Sequence, residues 1–158
     1  MSSKKLYSFV LLFSLLSFLF NTSLTFIFAQ NRFCEIIIVN NYNKKINLIV
    51  EIAETRESQA KGLMFRKNLD INKGMLFVFT YETLHEFWMK NTYIPLNIAY
   101  ISGNGIINEI YNMKPIDTSI TYPSKKKALF ALEVNKDWFK NNNISEGCKV
   151  IFNGCIRK

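Results

Sequence analysis

Apolar and polar positions along the chain change over every few residues, which is the spacing of short strands and not of long helices. Residues 34–40 are β-rich, residues 40–43 (Asn-Asn-Tyr-Asn) form a turn, and residues 46–53 are apolar again, so the pattern predicts an antiparallel hairpin. Thr55 is a good N-cap, and Ala60, Leu63 and Met64 follow at helical spacing, which predicts a short helix from Arg56 to about Met64 despite Gly62. Residues 75–79 form an apolar strand, and residues 81–86 a loop. Residues 96–101 and 106–113 flank the turn Ser102-Gly103-Asn104-Gly105 and should pair as a second hairpin. Residues 114–127 hold two prolines and three consecutive lysines with little periodicity, so they read as a long loop. Residues 128–134 form a strand, Asn135 caps a helix through Asn141, and residues 148–152 form the last strand.

The densest apolar and aromatic run outside the N-terminus is Phe-Trp-Met-Lys-Asn-Thr-Tyr-Ile-Pro-Leu-Asn-Ile-Ala-Tyr at 87–100. It alternates as a strand, with Phe87, Met89, Asn91 and Tyr93 on one face and Trp88, Lys90, Thr92 and Ile94 on the other. Pro95 cannot donate to a ladder and should mark a bend. Lys90 and Asn91 must be solvated or partnered, because burying them bare is costly. The sum is one α+β domain, predominantly antiparallel β, built as a curled sheet or small barrel with two short helices.

The first 29 residues do not fit that pattern. Lys4 and Lys5 precede a long apolar stretch that ends at Ala29, the layout of a secretory signal peptide. Residues 6–29 would also suffice as an uncleaved anchor with the lysines inside. On either reading residues 30–158 are exported, periplasmic or extracellular, and membrane contact runs only through the N-terminal segment.

Charge and cysteines refine the picture. The net charge is +8, of which Lys4 and Lys5 are two units, leaving +6 on the exported part. That excess suits a solvated face or an anionic partner. The lysines are scattered and no nucleic-acid motif is present, so nucleic acid is not expected. Cys34, Cys148 and Cys155 permit at most one internal disulfide. A bridge from Cys34 to a C-terminal cysteine is the easier one if the first and last strands are neighbours. No Cys/His metal spacing exists, and the single histidine, His85, reads as a surface residue.

Five segments then meet a known family: Gly62-Leu63-Met64-Phe65-Arg66; Gly74 to Phe79 (Gly-Met-Leu-Phe-Val-Phe); Phe87 to Thr92 with Ile94-Pro95-Leu96; Tyr122-Pro123-Ser124; and Ala131-Leu132-Glu133-Val134-Asn135. In order and spacing they resemble the domain of unknown function 192 family. The resemblance spans residues 46–152 and implies a compact β-rich domain, often exported. The chain departs from the family pattern at Asn97, where members commonly carry aspartate, and at Lys136-Asp137, where a small residue and glycine are usual.

Glu51, Glu54, Glu109, Asp117 and Glu133 are the carboxylates in or near these segments. Glu133, in an apolar strand, should be partly buried against Lys90 or Arg66. Lys90 could be an activated amine or a lysine lying across an aromatic ring. Met64, Met75, Met89 and Met113 read as core fillers before copper ligands. The expected function is a non-catalytic envelope module that binds a small molecule, an anionic polymer or an envelope protein without cofactor or metal. Its binding surface is Arg66, Trp88, Lys90, Asn91, Thr92 and Glu133 with the 114–127 loop, in a groove beside Pro95. A small hydrolase or transferase acting on an envelope polymer would instead need Glu133 or Glu109 within reach of Lys90. A structural partner of a membrane complex would expose an apolar patch.

Overall fold

The computed structural model describes residues 32–156; the leader or anchor expected at 1–29 lies outside the described residues. The elements are β1 (Phe33–Val39), β2 (Lys45–Ala53), α1 (Arg56–Lys61), β3 (Lys73–Thr83), β4 (Glu86–Phe87), β5 (Leu96–Ile101), β6 (Ile107–Met113), β7 (Tyr122–Pro123), β8 (Ala128–Asn135), α2 (Trp138–Asn141) and β9 (Lys149–Ile151). Seven strands form one sheet in the order β6-β5-β8-β3-β2-β1-β9, and β4 pairs with β7. The β1–β2 and β5–β6 hairpins lie where the turn residues place them. β2 and β3 run parallel, with α1 and the following loop as the crossover that a parallel pair requires.

The sheet curls into a half-barrel until its two ends meet. Ile106, just before β6, bridges Lys149 of β9, and the Val150 N–H donates to the Gly105 carbonyl at 2.8 Å. Gly105 has φ 79°, and a Cβ there would stand 2.6 Å from the Val150 carbonyl oxygen. Only glycine allows both the turn and the approach.

Each face of the sheet buries its own core. All seven strands contribute to the first, through residues such as Ile38, Val50, Leu76, Leu132, Ile101 and Val150, and α2 adds Trp138 and Phe139. The second lies over β3, β8, β5 and β6, with Met75, Phe77, Ala131, Ile98, Tyr100 and Met113, and the loops around 62–69, 87–94 and 113–122 cover it. Met75, Met89 and Met113 are buried there as core residues.

Four local expectations are corrected. The run at 87–94 is not a strand beyond Phe87: the Thr92 N–H donates to the Met89 carbonyl at 3.1 Å, and Asn91 adopts φ 54°, so the chain turns where alternation predicted extension. Asparagine tolerates that conformation better than most residues. α1 keeps its Thr55 cap, with a reciprocal Thr55–Ser58 capping box, but stops at Gly62 (φ 48°) short of Met64. β3 continues to Thr83, through the segment expected to be loop. The N-cap of α2 is Asp137, not Asn135.

The cysteine question resolves through the sheet order. β1 and β9 are neighbours, and the turn at Asn153-Gly154, both at positive φ, brings Cys155 back onto β1 instead of starting a new strand. Cys34 and Cys155 form a disulfide with their Cα atoms 5.7 Å apart, within the range a bridge needs. Cys148 is buried and free, with its sulfur 3.2 Å from the Asn41 side-chain oxygen.

Candidate functional site

Strand alternation places Glu133 where a hydrophobe would be expected. From Phe130 onward in β8 the odd positions face the second core, so Ala131 points into it and Glu133 follows two residues later. The register then sets a row across the sheet: Glu51 on β2, Met75 on β3, Glu133 on β8, Ile98 on β5 and Tyr111 on β6. Two carboxyl groups therefore share one face, two strands or roughly 10 Å apart at the backbone.

Their environments differ. Arg66, held in the loop after α1, donates to Glu51 Oε2 at 2.5 Å. Glu133 is 5% exposed, and its Oε2 has no hydrogen-bond partner among the described residues. Burial raises the Glu133 carboxyl to about 8, and the nearby Arg66 charge only partly opposes this. At neutral pH Glu133 is thus a neutral carboxylic acid.

Glu133 opens onto a cavity of about 280 Å³. Phe77, Phe79, Phe87 and Trp88 line it, with Gln59, Gly62, Leu63, His85, Glu86 and Thr92. A Cβ on Gly62 would lie 4.0 Å from Glu133 Oε2 and 3.4 Å from the Phe77 ring, so the glycine keeps this side open. Phe77 and Phe87 meet edge to face at 4.8 Å and 89°, which presents two walls at right angles. Trp88 is half exposed at the mouth, with Lys90 Nζ 5.1 Å from its ring centroid.

His85 is a cavity residue and not the surface residue its isolation in the sequence suggested. It stacks on Phe79 at 3.5 Å, and its Nε2–H donates to the Ala128 carbonyl at 3.0 Å, leaving Nδ1 as an acceptor. Burial lowers its pKa, against the hydrogen bond to Ala128, so the ring stays neutral.

The loops around the mouth are pinned to one another. The Phe65 N–H donates to the Asn91 carbonyl at 2.8 Å and the Ile116 N–H to the Thr92 carbonyl at 3.0 Å. Phe65 (φ 64°), Asn91 (φ 54°) and Ile116 (φ 60°) are all left-handed, which costs a bulky residue about 1–2 kcal/mol. The side chains of Phe65 and Ile116 are exposed.

Of the six residues singled out in the sequence, Trp88, Thr92 and Glu133 line the cavity, Arg66 serves Glu51 beside it, Lys90 lies over Trp88, and Asn91 holds Phe65. Pro95 is outside the lining; its carbonyl accepts from the Lys136 N–H. Glu109 is a loop anchor. Burial would raise its carboxyl, but bonds from the Tyr111 hydroxyl and from the Lys125 and Lys126 N–H groups hold it below its usual value. Phe77, Phe79 and Phe87 lay in the family segments without being marked as cavity walls, and Gln59, His85 and Glu86 had no site signal, because a residue is chosen for a cavity only by loops that fold back over the sheet.

The departures from the family pattern are structural. Asn97 points to the opposite face from Glu133, where its Oδ1 accepts from the Asp137 N–H at 2.6 Å and its amide donates to Asn112. Aspartate could accept the same bond. Asp137 stands at φ 63°, the conformation that glycine adopts without strain.

Comparison with known proteins agrees with this architecture. The model of DUF192, a family described as uncharacterised, matches residues 37–152. A crystal structure of a candidate transcription regulator from Sinorhizobium meliloti 1021 is 28% identical, with a TM-score of 0.76 over 78% of this chain and 96% of that one. A protein of unknown function from Novosphingobium aromaticivorans DSM 12444 is 31% identical, with a TM-score of 0.71 over 75% of this chain and 84% of that one. No curated protein matches.

Proposed function

The chain belongs to the DUF192 family of uncharacterised proteins, and we propose that its exported domain is a non-catalytic ligand-binding module of the cell envelope whose site is the cavity over Glu133. One observation carries the reading: a carboxyl oxygen buried without a partner, at the floor of an aromatic cavity that opens at Trp88. A buried polar atom without a partner costs about 1–3 kcal/mol, and a ligand that satisfies it recovers that cost on binding. The small volume and aromatic walls favour a small molecule over an anionic polymer.

Export, to the periplasm or outside the cell, is supported by the leader pattern of residues 1–29 and by the Cys34–Cys155 disulfide, a bond that persists in oxidising compartments. Membrane contact is assigned to the N-terminal segment alone. Nucleic acid is left out of the reading, because the lysines are scattered and no nucleic-acid motif is present. The hydrolase or transferase alternative is weakened because Glu109 is fully engaged and Lys90 lies on Trp88.

A structural-partner role has its own support in exposed Phe65, Trp88, Tyr93 and Ile116 around the mouth. A thermal-shift screen of the purified protein against envelope sugars, peptidoglycan fragments, anionic lipids and copper(I) separates the two. A concentration-dependent rise with a small molecule, abolished by Trp88→Ala, supports the ligand site. A protein whose melting none of them moves belongs with a protein partner.

A further inference from the structure

We infer that the cavity over Glu133 takes a small organic ammonium, the head of an alkylamine or of a lysyl side chain, with the Glu133 carboxylate against its charge and the rings of Phe77, Phe87 and Trp88 around its methylenes. This rests on the ligand-binding reading above and narrows it to one charge class.

The hydrogen-bonding inventory of the lining selects that class. Three of its side-chain donors are already engaged within the protein: the Gln59 amide donates to the Val78 carbonyl at 2.8 Å, His85 Nε2 to Ala128, and the Thr92 hydroxyl to the Lys90 carbonyl at 3.2 Å. What remains is mostly acceptors, namely His85 Nδ1, the Gln59 oxygen, the Glu86 carboxylate and, once its proton has left, Glu133 Oε2, against two donors on exposed residues, the Trp88 indole N–H and the Lys61 ammonium. An ammonium is the complementary group, with three donors and no acceptor. An anion would meet acceptors and ring faces of its own sign. The walls agree, since aromatic rings attract cations over their faces and Phe77, Phe79, Phe87 and Trp88 line the cavity. At the mouth the chain already shows the contact, with its own Lys90 ammonium over Trp88.

Charge around Glu133 permits the pairing. Arg66 is paired with Glu51; Glu86, neutral His85 and exposed Lys61 line the same cavity; and Tyr100 is near enough to feel the Glu133 charge. Because burial keeps Glu133 protonated to about 8, an ammonium must displace that proton: the O–H bond breaks, the proton leaves to solvent, and the carboxylate pairs with the bound cation.

Calorimetric titration of the full chain with n-butylammonium, beside n-butanol and butyrate as neutral and anionic probes of similar size, tests this. Butylammonium alone is expected to saturate one site. Its affinity should rise about tenfold per pH unit from 6 to 8 and level above, and heats at pH 7 in two buffers of different ionisation enthalpy should report about one proton released. Glu133→Gln should weaken binding at least tenfold, and Trp88→Ala, at an exposed position, gives a second variant independent of the buried carboxyl. Nα-acetyl-lysine methylamide separates the sources: binding like butylammonium points to a peptide side chain, and failure beside a binding butylammonium points to free amines. Tighter binding of butanol or butyrate, or affinity falling as pH rises, overturns the charge class and leaves the cavity as the site. Silence of all three probes overturns the inference, and together with a silent ligand screen it removes the ligand-binding reading as well.

Discussion

Glu51 and Glu133 stand on one row of the sheet with Met75 between them, yet only Glu51 receives the Arg66 guanidinium. Arg66 thus partners one carboxyl, while burial raises the other, two strands away.

Glu133 makes stability depend on pH in an unusual direction for a carboxyl. It holds its proton to about 8 in the native state and to about 4.5 in the unfolded chain, so the native state binds more protons between those values. Stability from this group is full below about pH 4.5, falls as pH rises toward 8 and then levels. Glu133→Gln should remove the decline and, at pH 9, exceed the parent by roughly 2–4 kcal/mol in urea unfolding. His85, whose pKa is lowered by burial, acts in the opposite sense near its ordinary range, so the difference between parent and variant curves isolates Glu133. Parallel curves for the two proteins would refute the assignment.

Arg66→Met should cost about 1–3 kcal/mol, because it leaves the mostly buried Glu51 carboxylate without its partner while the arginine itself was partly solvated. It should also move the Glu133 titration further upward, read by carboxyl NMR. Adding Glu51→Gln should restore part of the loss; if it restores none, the pair is not what Arg66 contributes.

Gly74 lies where β3 passes β8, and a Cβ there would stand 2.6 Å from the Glu133 carbonyl oxygen. Gly74→Ala should therefore lower stability by about 1–3 kcal/mol through forced strand separation. Thermal melting measures it. An unchanged midpoint would show that the two strands can part without cost.

Reduction of Cys34–Cys155, or Cys34→Ser, should cost about 4–5 kcal/mol for a loop of this length in the chain-entropy account. Urea unfolding with and without reductant gives the number. Buried Cys148 should resist a water-soluble thiol reagent until the protein unfolds; rapid labelling in the native state would contradict its placement.

Much of this fold was legible because strand, turn and cap signals are local. The Thr55 cap, the turn at 102–105 and the apolar strands at 75–79 and 128–134 fell where their residues placed them. The central run was misread because its alternation satisfied a strand template while Asn91 and the covering of the second core demanded a turn. Glu133 could be picked from the sequence as a carboxylate in an apolar strand, but its lack of a partner depends on Arg66 choosing Glu51, a contact 15 residues apart in the chain. Asp137 illustrates the same limit: a family glycine position held by another residue points to a left-handed conformation only once φ is known. Asp137→Gly should stabilise the protein by about 0.5–1 kcal/mol if the N–H bond to Asn97 is kept, as a melting curve would show.

The meeting of Gly105 and Ile106 with β9 also fixes an order of events. Until Lys149–Ile151 have been made, β1 offers the apolar segment Phe-Cys-Glu-Ile-Ile-Ile-Val as an open template for a neighbouring chain, and Cys34 has no partner. The sheet therefore stays open along β1 until Lys149–Ile151 pair with it. Docking of β9, and not collapse of the core, is the step that ends this chain's exposure to its own kind.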